Sequence, residues 1–472
     1  MPSSPFVVDP NLTRPDNLVL RSLIRDVERG SPKLRTGGSL AASNFTSRLA
    51  GEGSEAESDA SGRARPNGKE NSRKRLGRDA PAETGDEAAA QLPDDNTILA
   101  HLAAINNPKD PAFEPTVIVS KDLPLTANPI IDTWLLQPYI AWARRVVRVQ
   151  TDVVMLTHLL LYFSTSVPSA ILLFLHFSYP HAVIHFVMQM YYVGTYTLMM
   201  HQHIHMRGIL APQYRLFDTI FPYITDPLMG HTWNSYFYHH VKHHHVEGNG
   251  PADLSSTLRY QRDSARDFLR YFGRFLLFVW LELPRYFLRK GKPGLAVRTF
   301  CWEVSSYIMI ALAAGVNLRA AVAVLMLPLF FMRIGLMVGN WGQHALVDEE
   351  EPDSDYRSSI TLIDVASNRF CYNDGYHTSH HLNPLRHWRD HPSAFLKGKA
   401  TYAEQHALVF HDIDYIMLTV RLLTKNYTAL ARCLVPIGEA QIRLSLEERA
   451  EMLRRKTRRF SEEEIKARFA KA

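Results

Sequence analysis

Four long apolar segments dominate the middle of the chain. The first runs from Val153 to Phe177, contains no Asp, Glu, Lys or Arg, and at about 1.5 Å of helical rise per residue is long enough to cross a hydrocarbon core about 30 Å thick. The second covers residues 182–200, and the third and fourth cover roughly residues 299–314 and 320–339. This pattern predicts an all-α membrane protein with about four transmembrane helices arranged in two hairpins.

Two further features of the apolar pattern change this picture. Residues 268–291 mix arginine with phenylalanine, tryptophan and leucine, which is typical of an amphipathic helix that lies in the membrane interface. Arg333 falls inside the fourth segment, where a charge is costly in lipid, so we expect its side chain to face protein or to reach the interface.

The charges next to the apolar segments predict their orientation. Basic residues cluster before the first and third segments: Arg144, Arg145, Arg148, Arg285, Arg289, Lys290, Lys292 and Arg298. The two opposite turns contain only Arg319. By the positive-inside rule, we expect both termini and the histidine-rich regions on the cytosolic side of a multi-pass membrane protein. We expect that membrane to be the endoplasmic reticulum.

Composition divides the chain into three parts. Residues 36–95 are rich in small and charged residues, so they cannot bury enough apolar surface to offset chain entropy. We therefore predict a largely disordered region over residues 1–110, a membrane domain over residues 130–400 and a cytosolic helical tail over residues 401–472. We interpret the basic stretch at residues 72–78 as a solvated charge run, so no nucleic-acid partner is expected. In the tail, Ser445 with Glu448 and Ser461 with Glu464 form capping-box patterns that predict the starts of two surface helices.

The candidate chemistry lies in the histidines, because three cysteines at unrelated spacings predict neither a disulfide framework nor a thiolate metal site. The 22 histidines include four groups beside the ends of apolar segments: "HQHIH" (201–205), "HHVKHHH" (239–245), His344 in "NWGQH", and "HTSHH" (377–381). On a helix, a spacing of three or four residues places imidazoles on one face. Adjacent histidines such as His380 and His381 diverge by about 100° and can therefore serve different metal ions.

The number of histidines constrains the kind of metal site. A zinc site needs only three or four protein ligands, whereas these groups offer enough histidines for two ions. Imidazole binds Zn, Cu, Fe and Ni, so composition alone does not select the metal. A nearly all-imidazole dinuclear site at a membrane surface is compatible with iron that activates O2. Because ligand imidazoles must be neutral, we expect metal affinity to fall below about pH 6.5.

These motifs resemble the histidine boxes of the integral-membrane fatty acid desaturase and hydroxylase superfamily. "HQHIH", "HVKHHH" and "HTSHH" resemble its three boxes, and "NWGQH" resembles an additional Asn-x-x-x-His element before the last box. The resemblance covers roughly residues 153–392. It implies a cytosol-facing cap over a four-span bundle, two non-haem irons held by histidines, and O2-dependent oxidation of a lipid chain.

The second box leaves two registers open. The spacing of desaturase boxes selects His240, His243 and His244, whereas a resemblance to alkane monooxygenases selects His240, His244 and His245. We favour the second register because His240 and His244 would share a helical face, and we expect His239 and His243 to tolerate change. The candidate metal ligands are then His201, His205, His240, His244, His245, His344, His377, His380 and His381. Asn340 is expected to hold a water on the metal, and Asp253 and Asp374 are expected to accept hydrogen bonds from imidazole N–H groups.

The resemblance implies a membrane-bound di-iron oxidoreductase that desaturates a fatty acyl or other lipid chain, with a lipid or alkane hydroxylase as the alternative. A membrane zinc hydrolase and a metal transporter are the rival functions outside this superfamily. Each turnover would need two external electrons. The sequence contains no His-Pro-Gly-Gly haem-binding motif and no G-x-G-x-x-G fingerprint, so we expect a separate donor such as cytochrome b5 or a ferredoxin with its reductase.

Overall fold

The computed structural model describes residues 13–30, 93–118, 129–363 and 371–469. In chain order the helices are α1 (Arg14–Gly30), α2 (Asp95–Asn106), α3 (residues 129–146), α4 (Val153–Leu175), α5 (Tyr179–Met206), α6 (Arg215–Leu228), α7 (residues 237–247), α8 (Ala265–Arg289), α9 (Pro293–Val316), α10 (Leu318–Gln343), α11 (Asp355–Ser358), α12 (His377–Leu382), α13 (His391–Glu404), α14 (Tyr415–Leu423), α15 (Tyr427–Cys433), α16 (Gly438–Ile442), α17 (Leu446–Arg455) and α18 (Glu462–Phe469). Short 3-10 helices occur at Pro212–Tyr214 and Trp388–Asp390, and the strands are β1 (Ile360–Leu362), β2 (Leu408–Phe410) and β3 (Leu434–Val435). Helices α3, α4, α7 and α10 contain π-helical segments at Asp132–Leu136, Tyr162–Ser166, Phe237–His244 and Val322–Met326.

Three helices are long and apolar enough to cross a membrane: α4 with 23 residues, α9 with 24 and α10 with 26. They correspond to the first, third and fourth predicted segments. The second predicted segment forms α5, which has 28 residues but does not reach the same hydropathy. Within the described residues, length and composition thus identify three of the four expected spans, and the fourth stays a prediction.

Polar residues on one face explain the lower hydropathy of α5. His185 and Gln189 are fully buried against α4, where His185 Nδ1 lies 2.9 Å from Ser169 Oγ and Ser166 Oγ donates to Gln189 Oε1 at 3.2 Å. The opposite face of α5 exposes apolar side chains such as Ile184. The polar groups of α5 therefore pair with a neighbouring helix.

Two other expectations about the apolar segments can be compared with the structure. Helix α8 is amphipathic, with Tyr271 and Phe287 buried and Leu277 exposed, and it is not among the helices apolar enough to span a membrane in the described chain. Arg333 of α10 is buried and forms an ion pair with Glu303 of α9. The prediction that Arg333 faces protein is therefore confirmed.

Two segments of the region predicted to be largely disordered are helical. Helices α1 and α2 pack on α13, with Leu20 beside Phe395 and Leu102 beside Leu396 in buried clusters. The predicted disorder therefore does not extend to residues 14–30 and 95–106, because both helices find an apolar surface on which to bury their own apolar faces. The prediction for residues 31–92 lies outside the described residues.

A small sheet, which the sequence pattern did not predict, joins the tail to the chain before the last histidine group. Strand β2 pairs parallel with β1 and antiparallel with β3. Because the strands contain only two or three residues, they are too short to show an alternating pattern.

Both capping boxes are present, at Ser445 with Glu448 and at Ser461 with Glu464. The division of the chain into three domains stays a prediction.

Candidate metal centre

The C-terminal end of α5 supplies the first two histidines. His201 and His205 are one turn apart, both are buried, and their ring centroids lie 4.8 Å apart. His203 points elsewhere, with its Nε2 3.0 Å from the carbonyl oxygen of Asp218. The i, i+4 spacing thus places both imidazoles on one face of α5, as in an ordinary α-helix.

Helix α7 departs from that geometry because most of it is a π-helix. In a π-helix, residues five positions apart lie on one face, and the backbone N–H of His245 donates to the carbonyl oxygen of His240. The Nε2 atoms of these two residues lie 3.0 Å apart. His244 turns to another side, where its Nδ1 lies 2.8 Å from Asp253 Oδ2.

Helix α12 and the residue after α10 supply the remaining histidines. His380 of α12 faces α5, with its Nε2 3.0 Å from His201 Nε2. His381, the next residue, lies beside His377 instead, with ring centroids 4.5 Å apart. His344 follows α10 and places its Nε2 3.1 Å from His377 Nε2. The adjacent pair His380 and His381 is therefore divided between two neighbourhoods.

All nine candidate ligands fall into two groups. The five-histidine group contains His201, His205, His240, His245 and His380. The four-histidine group contains His244, His344, His377 and His381. Within each group the ligand nitrogens lie within 4.8 Å of one another. The groups are neighbours, since the rings of His244 and His245 have centroids 5.7 Å apart.

The nitrogen positions in the five-histidine group fit a metal ion. The Nε2 atoms of His201, His240, His245 and His380 form a closed ring with sides of 2.8, 3.0, 2.8 and 3.0 Å. A square with such sides places its corners about 2.1 Å from the centre, which is the length of an imidazole–metal bond. His205 Nε2 in this group and His381 Nε2 in the other are buried without a hydrogen-bond partner among the described residues. Unpaired buried nitrogens of this kind need an explanation, which a bound cation provides.

Burial keeps most of the ligands neutral and therefore able to bind a cation. Burial, reinforced by neighbouring imidazoles, holds the pKa of five of these histidines well below the usual value: His240, His245, His344, His377 and His380. A neutral imidazole retains one nitrogen lone pair for a metal. The site thus presents uncharged donors in a buried space.

Asp253 has the geometry of a residue that orients a ligand. Its Oδ2 accepts from His244 Nδ1 at 2.8 Å, and its Oδ1 accepts from the backbone N–H of Ser255 at 2.8 Å. Burial raises the pKa of the Asp253 carboxyl, but His244 and His243 outweigh burial and hold that pKa well below its usual range. A charged carboxylate on Nδ1 leaves the Nε2 of His244 as the free ligand nitrogen.

Asp374 is placed differently. Its Oδ1 lies 4.0 Å from His201 Nδ1, which is too long for a hydrogen bond, and its Oδ2 accepts from Gln343 Nε2 at 3.2 Å. Burial raises the pKa of Asp374 to about 7. The expected hydrogen bond from an imidazole to Asp374 is therefore not formed in this structure.

Asn340 uses its amide hydrogens within the protein. Its Nδ2 donates to the carbonyl oxygen of Ser255 at 2.9 Å and to Tyr271 Oη at 2.6 Å. These bonds hold the loop that carries Asp253. The expected role of Asn340 toward a water on the metal stays a prediction.

His239 and His243 lie outside both groups. His243 is fully buried, stacks on Tyr286 with ring centroids 4.3 Å apart, and accepts the backbone N–H of Leu254 at its Nε2 at 3.0 Å. These contacts conflict with the expectation that His243 tolerates change.

A backbone carbonyl and a carboxylate also contact candidate ligands, although no sequence motif indicates either contact. The carbonyl oxygen of Ser358 lies 2.9 Å from His344 Nδ1, and Asp355 Oδ1 lies 3.5 Å from His381 Nδ1. A backbone carbonyl carries no sequence signal, and Asp355 is one of several acids between residues 348 and 355. Both contacts turn the Nε2 atoms of their histidines toward the four-histidine group.

Comparison with known proteins identifies the family. The family model described as Fatty acid desaturase matches residues 177–413, which is half of the chain and includes all nine candidate ligands. No individual curated protein and no solved structure shows significant similarity to the chain. The chain therefore belongs to the fatty acid desaturase family.

Proposed function

We propose that this protein is a membrane-bound di-iron enzyme that uses O2 and two external electrons to desaturate a fatty acyl or other lipid chain. As a member of its family it is an oxidoreductase of the desaturase and hydroxylase type. The observation that carries the finer proposal is the division of nine histidines into groups of five and four. A mononuclear zinc hydrolase would need only three or four of them.

The protein's residues would hold and insulate two metal ions. His201, His205, His240, His245 and His380 would bind one ion, and His244, His344, His377 and His381 the other. When bound, two irons supply O2 activation for the removal of hydrogen from an unactivated carbon. Asp253 and the Ser358 carbonyl would fix the orientation of His244 and His344, and burial of the ligands would exclude water from the reacting centre.

The reaction balances only with an electron donor. Desaturation passes two electrons and two protons from the lipid, together with two electrons and two protons from outside, to O2, which becomes two waters. We expect cytochrome b5 or a ferredoxin with its reductase to supply the external electrons.

The proposal places the protein in the endoplasmic reticulum membrane, with α5 as a fourth span and the histidine groups and both termini on the cytosolic side.

Lipid profiling tests the function. Wild-type protein, expressed in a host cell with its own electron donors, should yield lipids that lack two hydrogens relative to those of the empty host. The His240→Ala and His377→Ala variants, present at equal abundance in the membrane, should yield none. Lipids that gain one oxygen would identify the hydroxylase alternative, and an unchanged lipid profile across several hosts would count against an oxidase of either kind.

A further inference from the structure

Arg262, in the loop between α7 and α8, is fully buried although its side chain is charged. A buried guanidinium is unfavourable unless its N–H groups are hydrogen-bonded, and the bonds of Arg262 join the C-terminal tail to the segment that begins at His344. We propose that Arg262 is a positioning residue through which the C-terminal tail holds the four-histidine group in its metal-binding arrangement. This inference rests on the proposed function, since it concerns how the same metal centre is held.

His344 is the one candidate ligand that lies outside a helix. It is the first residue after α10, whereas the other eight lie within α5, α7 and α12. The last carbonyls of a helix have no partner inside that helix, so the path of the chain at His344 depends on contacts from other segments. The carbonyl oxygen of His344 accepts from Thr257 Oγ1 at 2.6 Å, and that of Ala345 accepts from Arg262 Nε at 2.9 Å.

The same guanidinium binds the C-terminal tail. Its Nη2 donates to the carbonyl oxygen of Lys456 at 3.0 Å and also to that of Arg458. The backbone N–H of Arg262 donates to the carbonyl oxygen of Thr457 at 2.9 Å. Because an arginine carries five N–H donors in a planar fork, it can bind several segments at once, which the compact ammonium of a lysine cannot do.

The tail segment, defined as residues 456–460, also binds the chain after His344 directly. The backbone N–H of Val347 donates to the carbonyl oxygen of Lys456 at 3.0 Å. Lys456 Nζ forms an ion pair with Asp348 Oδ2 at 2.5 Å, and both side chains are largely buried. The chain after His344 is therefore held by the tail segment on its own and again through Arg262.

The tail segment also binds the loop that carries Asp253. The backbone N–H of Phe460 donates to the carbonyl oxygen of Leu258 at 3.0 Å, and Asp253 in the same loop accepts from His244 Nδ1 at 2.8 Å. His244 and His344 both belong to the four-histidine group, and their ring centroids lie 5.3 Å apart. The tail segment thus supports the residues that place two ligands of one group.

Titration of the metal-free full-length protein with Co²⁺ measures the two groups separately. His377→Ala and His245→Ala each remove a ligand of one group, so they assign the two binding steps. Arg262→Met fills much of the same volume but removes every side-chain N–H donor. Since the loss of a residue that supports a ligand typically weakens metal binding about 10- to 100-fold, we expect such a loss in the four-histidine group and no change in the five-histidine group.

Two milder variants decide the matter if Arg262→Met does not fold. Arg262→Lys keeps the charge but cannot reach all the carbonyl oxygens, and Lys456→Met removes only the ion pair with Asp348. Each should weaken Co²⁺ binding in the four-histidine group alone, by a smaller factor. Arg454→Met is the matched control, because Arg454 pairs with Glu451 within α17, and it should leave both affinities unchanged.

The inference is overturned if Arg262→Lys and Lys456→Met leave both affinities unchanged, or if they weaken both groups equally, as a general loss of stability would. Co²⁺ binding requires neither O2 nor electrons. A protein that shows the selective loss but oxidises no lipid would therefore refute the proposed function and leave the role of Arg262 standing. Equal losses in a protein that does oxidise lipid would refute the role of Arg262 alone.

Discussion

The Nε2 atoms of His240 and His245 lie 3.0 Å apart, although the two residues are five positions apart in the chain. The π-helix of α7 makes this possible, because its longer turn aligns residues i and i+5. The same turn directs His244 into the other histidine group. One short helix therefore supplies ligands to both candidate metal sites.

Single substitutions of adjacent histidines should remove different ions. His244→Ala deletes a ligand of the four-histidine group, and His245→Ala deletes one of the five-histidine group. Each variant should retain about half of the wild-type metal, measured by elemental analysis of purified protein, because the other group keeps its ligands. If the metal is iron, Mössbauer spectra of the two variants should differ. Identical spectra would contradict the assignment to separate sites.

His243→Ala should keep the metal and lose stability. The substitution leaves the backbone N–H of Leu254 without its acceptor and removes the stacking on Tyr286, which should cost about 1–3 kcal/mol. Thermal unfolding measures the loss, and His243→Gln, which retains an acceptor, serves as the matched control. A loss of metal in His243→Ala at unchanged stability would favour the alternative register of the second box.

Asp253→Asn should weaken metal binding through His244. The amide keeps the size of the side chain but removes the charge that orients the imidazole, so the affinity for the ion of the four-histidine group should fall about 10- to 100-fold. Competition with a chelator measures this change. Asp374→Asn is the control, because Asp374 lies 4.0 Å from His201 Nδ1 and makes no hydrogen bond to it, and an equal effect of both substitutions would refute the orienting role of Asp253.

The metal-free protein should become less stable in acid. The pKa values of His240, His245, His344, His377 and His380 are lowered in the folded state, so below about pH 6.5 the unfolded chain binds more protons. Each such proton lowers the free energy of unfolding by about 1.4 kcal/mol per pH unit. Asp374 and Asp226, whose pKa values burial raises to about 7, and His387, whose pKa Asp152 raises against the effect of burial, act in the opposite sense, but they are three groups against five.

Denaturant unfolding of the metal-free protein at a series of pH values measures this dependence. We expect the free energy of unfolding to be nearly constant above about pH 7 and to fall steadily below about pH 6.5. Bound metal should delay the fall, because protons must compete with it for the same nitrogens. Stability that rises on acidification would show that the carboxyls, rather than the histidines, dominate.

The histidine groups could be recognised in the sequence because their ligands lie within short motifs. The favoured register of the second box includes His244 and His245, which lie in different groups, and it stays a prediction. It was chosen because His240 and His244 would share a helical face; their rings do stack, with centroids 5.6 Å apart, but the two residues belong to different groups. A π-helix has no simple sequence pattern, so its five-residue alignment could not be foreseen. The helical segments of the N-terminal region were missed because their buried partner, α13, lies hundreds of residues away.

The buried contacts of Glu303 show a second limit of sequence reasoning. Glu303 and Arg333 lie on different helices, and Thr232 and Ser235 lie in the segment before α7. Only tertiary packing brings them together. Arg333 could be predicted to face protein from the cost of a charge in lipid, but its partner could not be identified, since many distant acids were possible.

The metal content of the purified full-length protein tests the central claim most directly. Elemental analysis of protein produced with iron and zinc both available should find about two irons per chain, one for each histidine group. In His240→Ala and His377→Ala the iron content should fall. Stoichiometric zinc without iron in the wild-type protein would contradict the di-iron proposal.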